Sequence, residues 1–206
     1  MHKQFFISLS ISFLLLALSL ILNYYAGIYA TREASNSVTD IILDNLPIFD
    51  VDWFFVYGAF ILWTFISLLL LIDPKKAPFV LKSVALFIIV RSIFVSLTHI
   101  GPFPGQIFIE PNRVFDKVSF GADLFFSGHT GFPFLFAMIY WGNKPLRILF
   151  LICSALFGAC VLMGHLHYSI DVFSAFFITY GIYQMAMKFF KKDYIIFQKG
   201  ISAYTD

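Results

Sequence analysis

Residues 53–72, WFFVYGAFILWTFISLLLLI, decide the fold class, because they form a run of 20 residues without a charged side chain. A helix of about 20 apolar residues can cross the roughly 30 Å hydrocarbon core of a bilayer. The whole chain has a similar character, since 60% of its 206 residues are hydrophobic and only 13% are charged. A typical soluble domain carries about 25% charged residues. We therefore predict an all-α, polytopic membrane protein whose surface is largely covered by lipid.

Five further apolar runs flank this segment, so we predict a bundle of six transmembrane helices. The other five spans comprise residues 5–22, 79–97, 124–141, 146–163 and 170–187. The span at 124–141 is the least uniform, because it contains polar residues and Pro133. The first run follows Lys3 and could also be a signal peptide. Its length exceeds the usual 7–15 apolar residues of such a peptide, which favours a retained span. We expect one domain, residues 1–206.

Basic residues indicate the orientation of the predicted bundle. Cytoplasmic loops carry an excess of Lys and Arg. One predicted side holds Lys3, Lys75, Lys76, Lys82, Lys144, Arg147, Lys188, Lys191, Lys192 and Lys199, and the other holds only Arg32, Arg113 and Lys117. We therefore expect both termini in the cytoplasm and two long loops, 28–52 and 98–123, on the extracytoplasmic side. Loops of more than about 12–15 residues are often functional. Without a basic patch, a nucleic-acid partner is not expected.

His167 and Asp171 form the first candidate pair for chemistry. They are four residues apart, so on a helix they share one face. Asp171 could accept a hydrogen bond from one ring nitrogen of His167, which would make the other nitrogen a better base or nucleophile. A carboxylate near hydrocarbon is costly unless it is paired. A structural ion pair between helix ends is the alternative role.

A second group is the segment Ser127-Gly128-His129-Thr130, at the predicted extracytoplasmic end of the fourth span. Ser127 suits a helix N-cap, and Gly128 permits close backbone approach. Free backbone N–H groups at a helix start bind anions. His129 would then stand beside a phosphate, where it could protonate a leaving oxygen.

Two charged residues complete the candidate site. Arg91 lies inside the third predicted span, and a buried Arg in a membrane segment suggests function. Its guanidinium suits the oxygens of a phosphodiester, although tethering a loop is an alternative role. Asp123 has either a site role or that of an exposed loop charge.

These strings resemble a known superfamily. Ser127-Gly128-His129 and His167-x-x-x-Asp171 are similar to the second and third motifs of the type 2 phosphatidic acid phosphatases and haloperoxidases. Residues 121–130 and 165–172 more closely resemble the third and fourth motifs of sphingomyelin synthases. Fainter similarities occur at residues 46–50 and 91–98. The resemblance covers about residues 46–185 and implies six spans, lipid substrates as donor and acceptor, and no metal or other cofactor.

The residue assignments follow from these motifs together with the chemistry above. The catalytic candidates are His129, His167 and Asp171, and the substrate-binding candidates are Arg91, Asp123, Ser127, Gly128, Thr130 and Tyr168.

Departures from the phosphatase pattern favour a phosphodiester substrate. Those enzymes have a Lys and an Arg seven residues apart, whereas Lys82 and Arg91 are nine apart here. They also have an Arg six residues before the His that corresponds to His167, where this chain has Val161. Both missing cations would bind a dianionic phosphate monoester. From the sphingomyelin synthase pattern the chain departs at Ala122, where that family has Gly.

We therefore expect a lipid phosphotransferase that moves a phospho-headgroup from a glycerophospholipid to a lipid alcohol such as ceramide or diacylglycerol. The site would face the extracytoplasmic side. A lipid phosphatase or phospholipase C-like hydrolase, with water as acceptor, is the main alternative. A haem-, metal- or lipid-binding protein without catalytic activity is a third. The sequence leaves the headgroup and the oligomeric state open.

Overall fold

A computed structural model describes residues 2–104 and 124–200, and in these ranges all regular structure is helical. The α-helices are α1 (His2–Arg32), α2 (Asp52–Ile72), α3 (Ala77–Leu97), α4 (Gly128–Ile139), α5 (Lys144–Met163), α6 (Ser169–Phe189) and α7 (Lys191–Lys199). Short 3₁₀ turns occupy Leu43–Asn45 and Pro74–Lys76. The prediction of an all-helical protein is confirmed. Within the described ranges, α1, α2, α3, α5 and α6 are long and apolar enough to cross a membrane. The sixth span and the side on which the termini lie stay predictions.

The fourth helix is shorter than the predicted span 124–141 at both ends. It starts after Ser127, whose ψ of 112° is not helical, and it gives way at Tyr140 to a turn. Asn143 ends that turn and caps α5, because its side-chain oxygen accepts a hydrogen bond from the Leu146 N–H at 3.2 Å. The 12 residues of α4 span about 18 Å. This helix alone is therefore too short for the hydrocarbon core.

The core surrounds α4. Buried residues of α3, α4, α5 and α6 form one apolar cluster that includes Phe87, Leu135, Phe136, Phe150 and Ile182. A helix that is buried on nearly all sides needs apolar residues all round, and most of α4 beyond His129 is apolar. By contrast, α1 and α2 expose many large apolar side chains, as lipid-facing helices do. Helix α4 thus runs through the centre of the bundle, with the other helices around it.

A close approach between three helices fixes the position of α4. A Cβ atom on Gly131 would lie 2.8 Å from Oγ1 of Thr179 on α6 and 3.0 Å from the ring of Phe87 on α3. Contacts this short exclude any side chain larger than glycine unless the neighbours move. Gly131 therefore lets α3 and α6 pack directly against α4, the helix that carries His129.

A buried polar cluster joins α1, α3 and α7. The Lys82 ammonium group lies 2.6 Å from Oδ2 of Asp193 and 2.8 Å from Oγ of Ser8. The Ser8 hydroxyl donates to the other Asp193 oxygen at 2.6 Å. Lys82 precedes Arg91 by about 13 Å along α3, so its charge is neutralised well away from the Arg91 end. The helix α7, which carries Asp193, was not among the sequence predictions.

Candidate active site

Ser127 begins α4 and fixes the conformation of the segment that precedes His129. Its Oγ accepts a hydrogen bond from the Thr130 backbone N–H at 3.3 Å and lies 3.1 Å from Thr130 Oγ1. The prediction that Ser127 caps a helix is confirmed. Ser154 of α5 donates to the Thr130 carbonyl at 2.7 Å. Because Ser127 and Thr130 are buried and bonded to each other, their main visible role is structural, and their roles in substrate binding stay predictions.

Arg91 lies against this segment from α3. Its Nε donates to the Phe126 carbonyl at 2.9 Å. A Cβ atom on Gly128 would lie 3.2 Å from that same Nε. The absence of a side chain at Gly128 therefore allows the guanidinium to approach the backbone at the start of α4. A positive charge beside free helix N–H groups is a suitable environment for a phosphate oxygen.

His167 and Asp171 are paired at the start of α6. The distance from His167 Nδ1 to Asp171 Oδ2 is 3.4 Å, and the Tyr168 backbone N–H donates to the same oxygen at 3.0 Å. Asp171 is fully buried. A carboxylate at Nδ1 favours the tautomer with its proton on that nitrogen, which leaves the lone pair on Nε2. Nε2 is therefore the nitrogen available for chemistry.

A backbone hydrogen bond joins the two histidine segments. The Ser127 N–H donates to the Asp171 carbonyl at 3.0 Å. His129 lies two residues after Ser127, and both His167 and Arg91 are near enough to influence it electrostatically. The structure thus brings His129, Arg91 and the His167–Asp171 pair to one end of the bundle.

Tyr168 holds the two long loops together beside His167. Its hydroxyl donates to the Gly101 carbonyl at 2.8 Å and accepts from the Val38 N–H at 3.2 Å. The side chain is only 2% exposed. The structure gives Tyr168 a role in loop placement, and its predicted contact with substrate stays a prediction.

Asp40 is a site-positioning residue that the sequence reading missed. Its Oδ2 accepts a hydrogen bond from the Ser169 N–H at 2.6 Å, while Oδ1 accepts from the N–H groups of Ile42 at 2.9 Å and Leu43 at 3.2 Å. Burial opposes ionisation of this carboxyl, but the hydrogen bonds outweigh burial and lower the pKa of Asp40 below its usual value. Nothing local in the sequence relates residue 40 to residue 169.

The remaining histidines at this end hold loops. His165 has a positive φ of 54°, and its Nε2 lies 3.0 Å from the Leu46 carbonyl oxygen. The ring of His99 packs edge-on against Tyr29. Within residues 2–104 and 124–200, no three His, Cys, Asp or Glu side chains are grouped to hold a metal ion. Asp123, predicted to bind substrate, lies outside the described residues.

Comparison with known proteins yields one match. Residues 121–188 match the family model described as PAP2 superfamily C-terminal. The matched segment, about a third of the chain, contains both histidine motifs and supports a relationship to the type 2 phosphatidic acid phosphatase superfamily. No curated protein and no solved structure matches the chain.

Proposed function

We propose that this multi-pass membrane protein is a lipid phosphotransferase that moves a phospho-headgroup from a glycerophospholipid to a lipid alcohol, ceramide or diacylglycerol. The observation that carries the proposal is the Ser127 N–H to Asp171 carbonyl bond of 3.0 Å. It joins the segment with His129 to the helix whose carboxylate pairs with His167. This link supports a site in which two imidazoles act on one substrate, as general acid–base chemistry requires.

The transfer assigns opposite proton roles to the two histidines. Nε2 of His167 removes the proton from the acceptor hydroxyl, and Asp171 stabilises the imidazolium that results. The acceptor oxygen bonds to phosphorus as the bond between phosphorus and the glycerol oxygen breaks. His129 donates a proton to the departing oxygen. The net change is one headgroup and one proton exchanged between two alcohols, after which His167 and His129 re-equilibrate their protons.

A covalent route uses the same groups. Nε2 of His167 attacks phosphorus, diacylglycerol leaves with a proton from His129, and the acceptor alcohol then displaces His167 from phosphorus. The second step returns the acceptor's proton to His129. Both routes require the His167–Asp171 contact of 3.4 Å, because Asp171 stabilises positive charge on the ring.

The charges near the site support a phosphodiester donor. Arg91 is beside the start of α4, where it can offset developing charge on the phosphoryl oxygens. Lys82 is paired with Asp193 elsewhere on α3, and Val161 is fully buried. The described residues thus supply one arginine where a phosphate monoesterase would need several cations for a dianion.

A lipid phosphatase or phospholipase C-like hydrolase is the second candidate, which the PAP2 superfamily match favours. It would use the same groups with water as the acceptor. The two candidates differ in product and not in site.

A product assay separates them. Purified protein in liposomes is given fluorescent ceramide or diacylglycerol together with phosphatidylcholine or phosphatidylethanolamine, and lipid products are identified by mass spectrometry. A new lipid that carries the headgroup, lost in His129→Ala and His167→Ala, is expected. Release of a phospho-base or inorganic phosphate without a new lipid would contradict transfer and support the hydrolase.

A further inference from the structure

The ring of Phe55 on α2 stacks on the imidazole of His129. Their centroids are 3.8 Å apart and the ring planes are inclined by 28°. Phe157 of α5 is a more distant neighbour, at 5.8 Å and 51°. Phe55 belongs to none of the sequence motifs, and it is one of 28 phenylalanines.

Neighbouring rings determine where Phe55 lies. Phe54 packs on Phe157 at 5.2 Å, and a Cβ atom on Gly58 would be 3.2 Å from the Phe157 ring. About two turns further along α2, Trp63 stacks on Phe132 of α4 at 4.5 Å. Helix α2 thus packs against α4 through two ring stacks, one of which involves His129.

The stack with Phe55 restrains the orientation of the His129 ring. No residue within the described ranges 2–104 and 124–200 forms a hydrogen bond with the His129 ring. The outer torsion of a histidine side chain has broad minima, so an unrestrained imidazole rotates and its N–H points in varying directions. A ring at van der Waals distance from one face limits that rotation. Proton transfer requires the donor nitrogen within hydrogen-bond reach of the leaving oxygen.

We propose that Phe55 is a positioning residue that orients His129 for proton donation to the leaving group. This inference rests on the proposed transferase function and names a residue that acts through His129 without touching phosphorus. His167 and Arg91 are near enough to act electrostatically on His129, but the described ring contacts of His129 are with Phe55 and Phe157. Loss of the Phe55 ring should therefore harm the acid step more than phosphate binding.

The test compares two donors that differ in one atom. One is an ordinary phospholipid, and the other has sulfur in place of the glycerol oxygen bonded to phosphorus. When the P–S bond breaks, the thiolate leaves without needing a proton, and it is measured with a thiol reagent. In liposomes, Phe55→Leu should lower turnover of the oxygen donor about tenfold, a part of the 10²–10⁴-fold that a general acid contributes. Turnover of the sulfur donor should fall less than about twofold.

Matched variants separate orientation from packing. Trp63→Leu removes the other stack between α2 and α4, so it should change both donors by the same factor. Phe55→Tyr keeps an aromatic face and should retain turnover of the oxygen donor, whereas Phe55→Met, of similar volume, should not. An equal loss with both donors in Phe55→Leu and Phe55→Met would make Phe55 merely structural and overturn the inference.

A measurement independent of turnover distinguishes failure of the inference from failure of the proposed function. Diethyl pyrocarbonate modifies accessible imidazoles, and mass spectrometry follows its addition to His129. Removal of the stacked ring in Phe55→Leu should accelerate modification, while Trp63→Leu should not. Unchanged reactivity in Phe55→Leu would refute the stack even in active protein. The protein without substitutions could make no lipid product while Phe55→Leu still accelerates the reaction of His129 with the reagent. In that case the transferase proposal fails, and the contact between Phe55 and His129 stands.

Discussion

The Asp40 carboxylate accepts a 2.6 Å hydrogen bond from the backbone N–H of Ser169, 129 residues further along the chain. Ser169 is the first residue of α6, and Asp171 lies in the same turn. A negative charge at a helix N-terminus is favourable, because it complements the helix dipole and the free N–H groups. Asp40 therefore fixes the loop between α1 and α2 over the start of α6, next to the His167–Asp171 pair.

We predict that the contact between Asp40 and Ser169 makes the free energy of unfolding depend on pH in the acidic range. The folded-state pKa of Asp40 is lowered from 3.8, so its contribution is present above that value and is lost as pH falls through the folded pKa. Asp40→Asn should lower the free energy of unfolding by about 1 kcal/mol near neutral pH. The difference from the unmodified protein should stay constant well above pH 3.8 and shrink as the pH falls below that value.

Thermal unfolding in detergent, measured from pH 3 to pH 7, checks this expectation. Asp50→Asn serves as the control, because Asp50 is exposed and accepts only a local hydrogen bond from Asp52. A gap between Asp40→Asn and the unmodified protein that stays constant over this range would show that the Asp40 charge does not matter.

Asp171→Asn should abolish most activity and leave the fold intact. Asparagine still offers an oxygen to the Tyr168 N–H, which keeps the cap of α6, but it no longer stabilises a charged His167 ring. We expect turnover to fall by about 10²–10⁴-fold. Product formation and the unfolding temperature are measured together. Turnover near that of the unmodified protein would remove Asp171 from the mechanism.

Gly131→Ala should destabilise the bundle through steric overlap. Its methyl group would meet Thr179 and Phe87 at 3.0 Å or less, so we expect a loss of about 1–3 kcal/mol. The matched control is Gly181→Ala, because a Cβ atom there meets nothing within 4 Å. That control should be neutral or stabilising by up to about 1 kcal/mol. If both variants unfold at the same temperature, the close packing of α3, α4 and α6 is not needed.

The extracytoplasmic position of the site is a further prediction. Thr39, in the loop between α1 and α2, and Lys144, the first residue of α5, are exposed at opposite ends of the bundle. The two native cysteines are free. With Cys153 and Cys160 replaced by alanine, Thr39→Cys should react with a membrane-impermeant maleimide in intact cells. Lys144→Cys should react only after permeabilisation. The reverse pattern would place the site in the cytoplasm.

Much of the fold follows from the sequence because a helix that crosses the lipid needs a run of about 20 apolar residues. Helices α2, α3, α5 and α6 match the apolar runs to within a few residues. The bounds of α1 and α4 were wrong. Helix α1 continues to Arg32, beyond the predicted span 5–22 and into the predicted loop 28–52, and Leu124-Phe125-Phe126 is apolar yet lies outside α4. Hydropathy cannot show where backbone torsions change.

The sequence likewise indicated some residues of the candidate site and not others. His167 and Asp171 were evident because their spacing is local. Asp40 and Phe55 were not, because each acts across the fold on a residue far away in sequence. Neither one aspartate in a loop nor one phenylalanine among many differs in type from its neighbours, and only tertiary contact distinguishes them.

Because α4 is short, the turn that follows it must be covered by other parts of the protein. Polar backbone groups cannot face hydrocarbon unpaired, yet the turn after Ile139 begins well before a full bilayer thickness has been crossed. Phe197 of α7 packs on Tyr140 at 5.4 Å, and the Lys76 ammonium group lies over both rings. Helix α7 thus covers the turn that ends α4, so that protein side chains pack against the turn that follows this short helix.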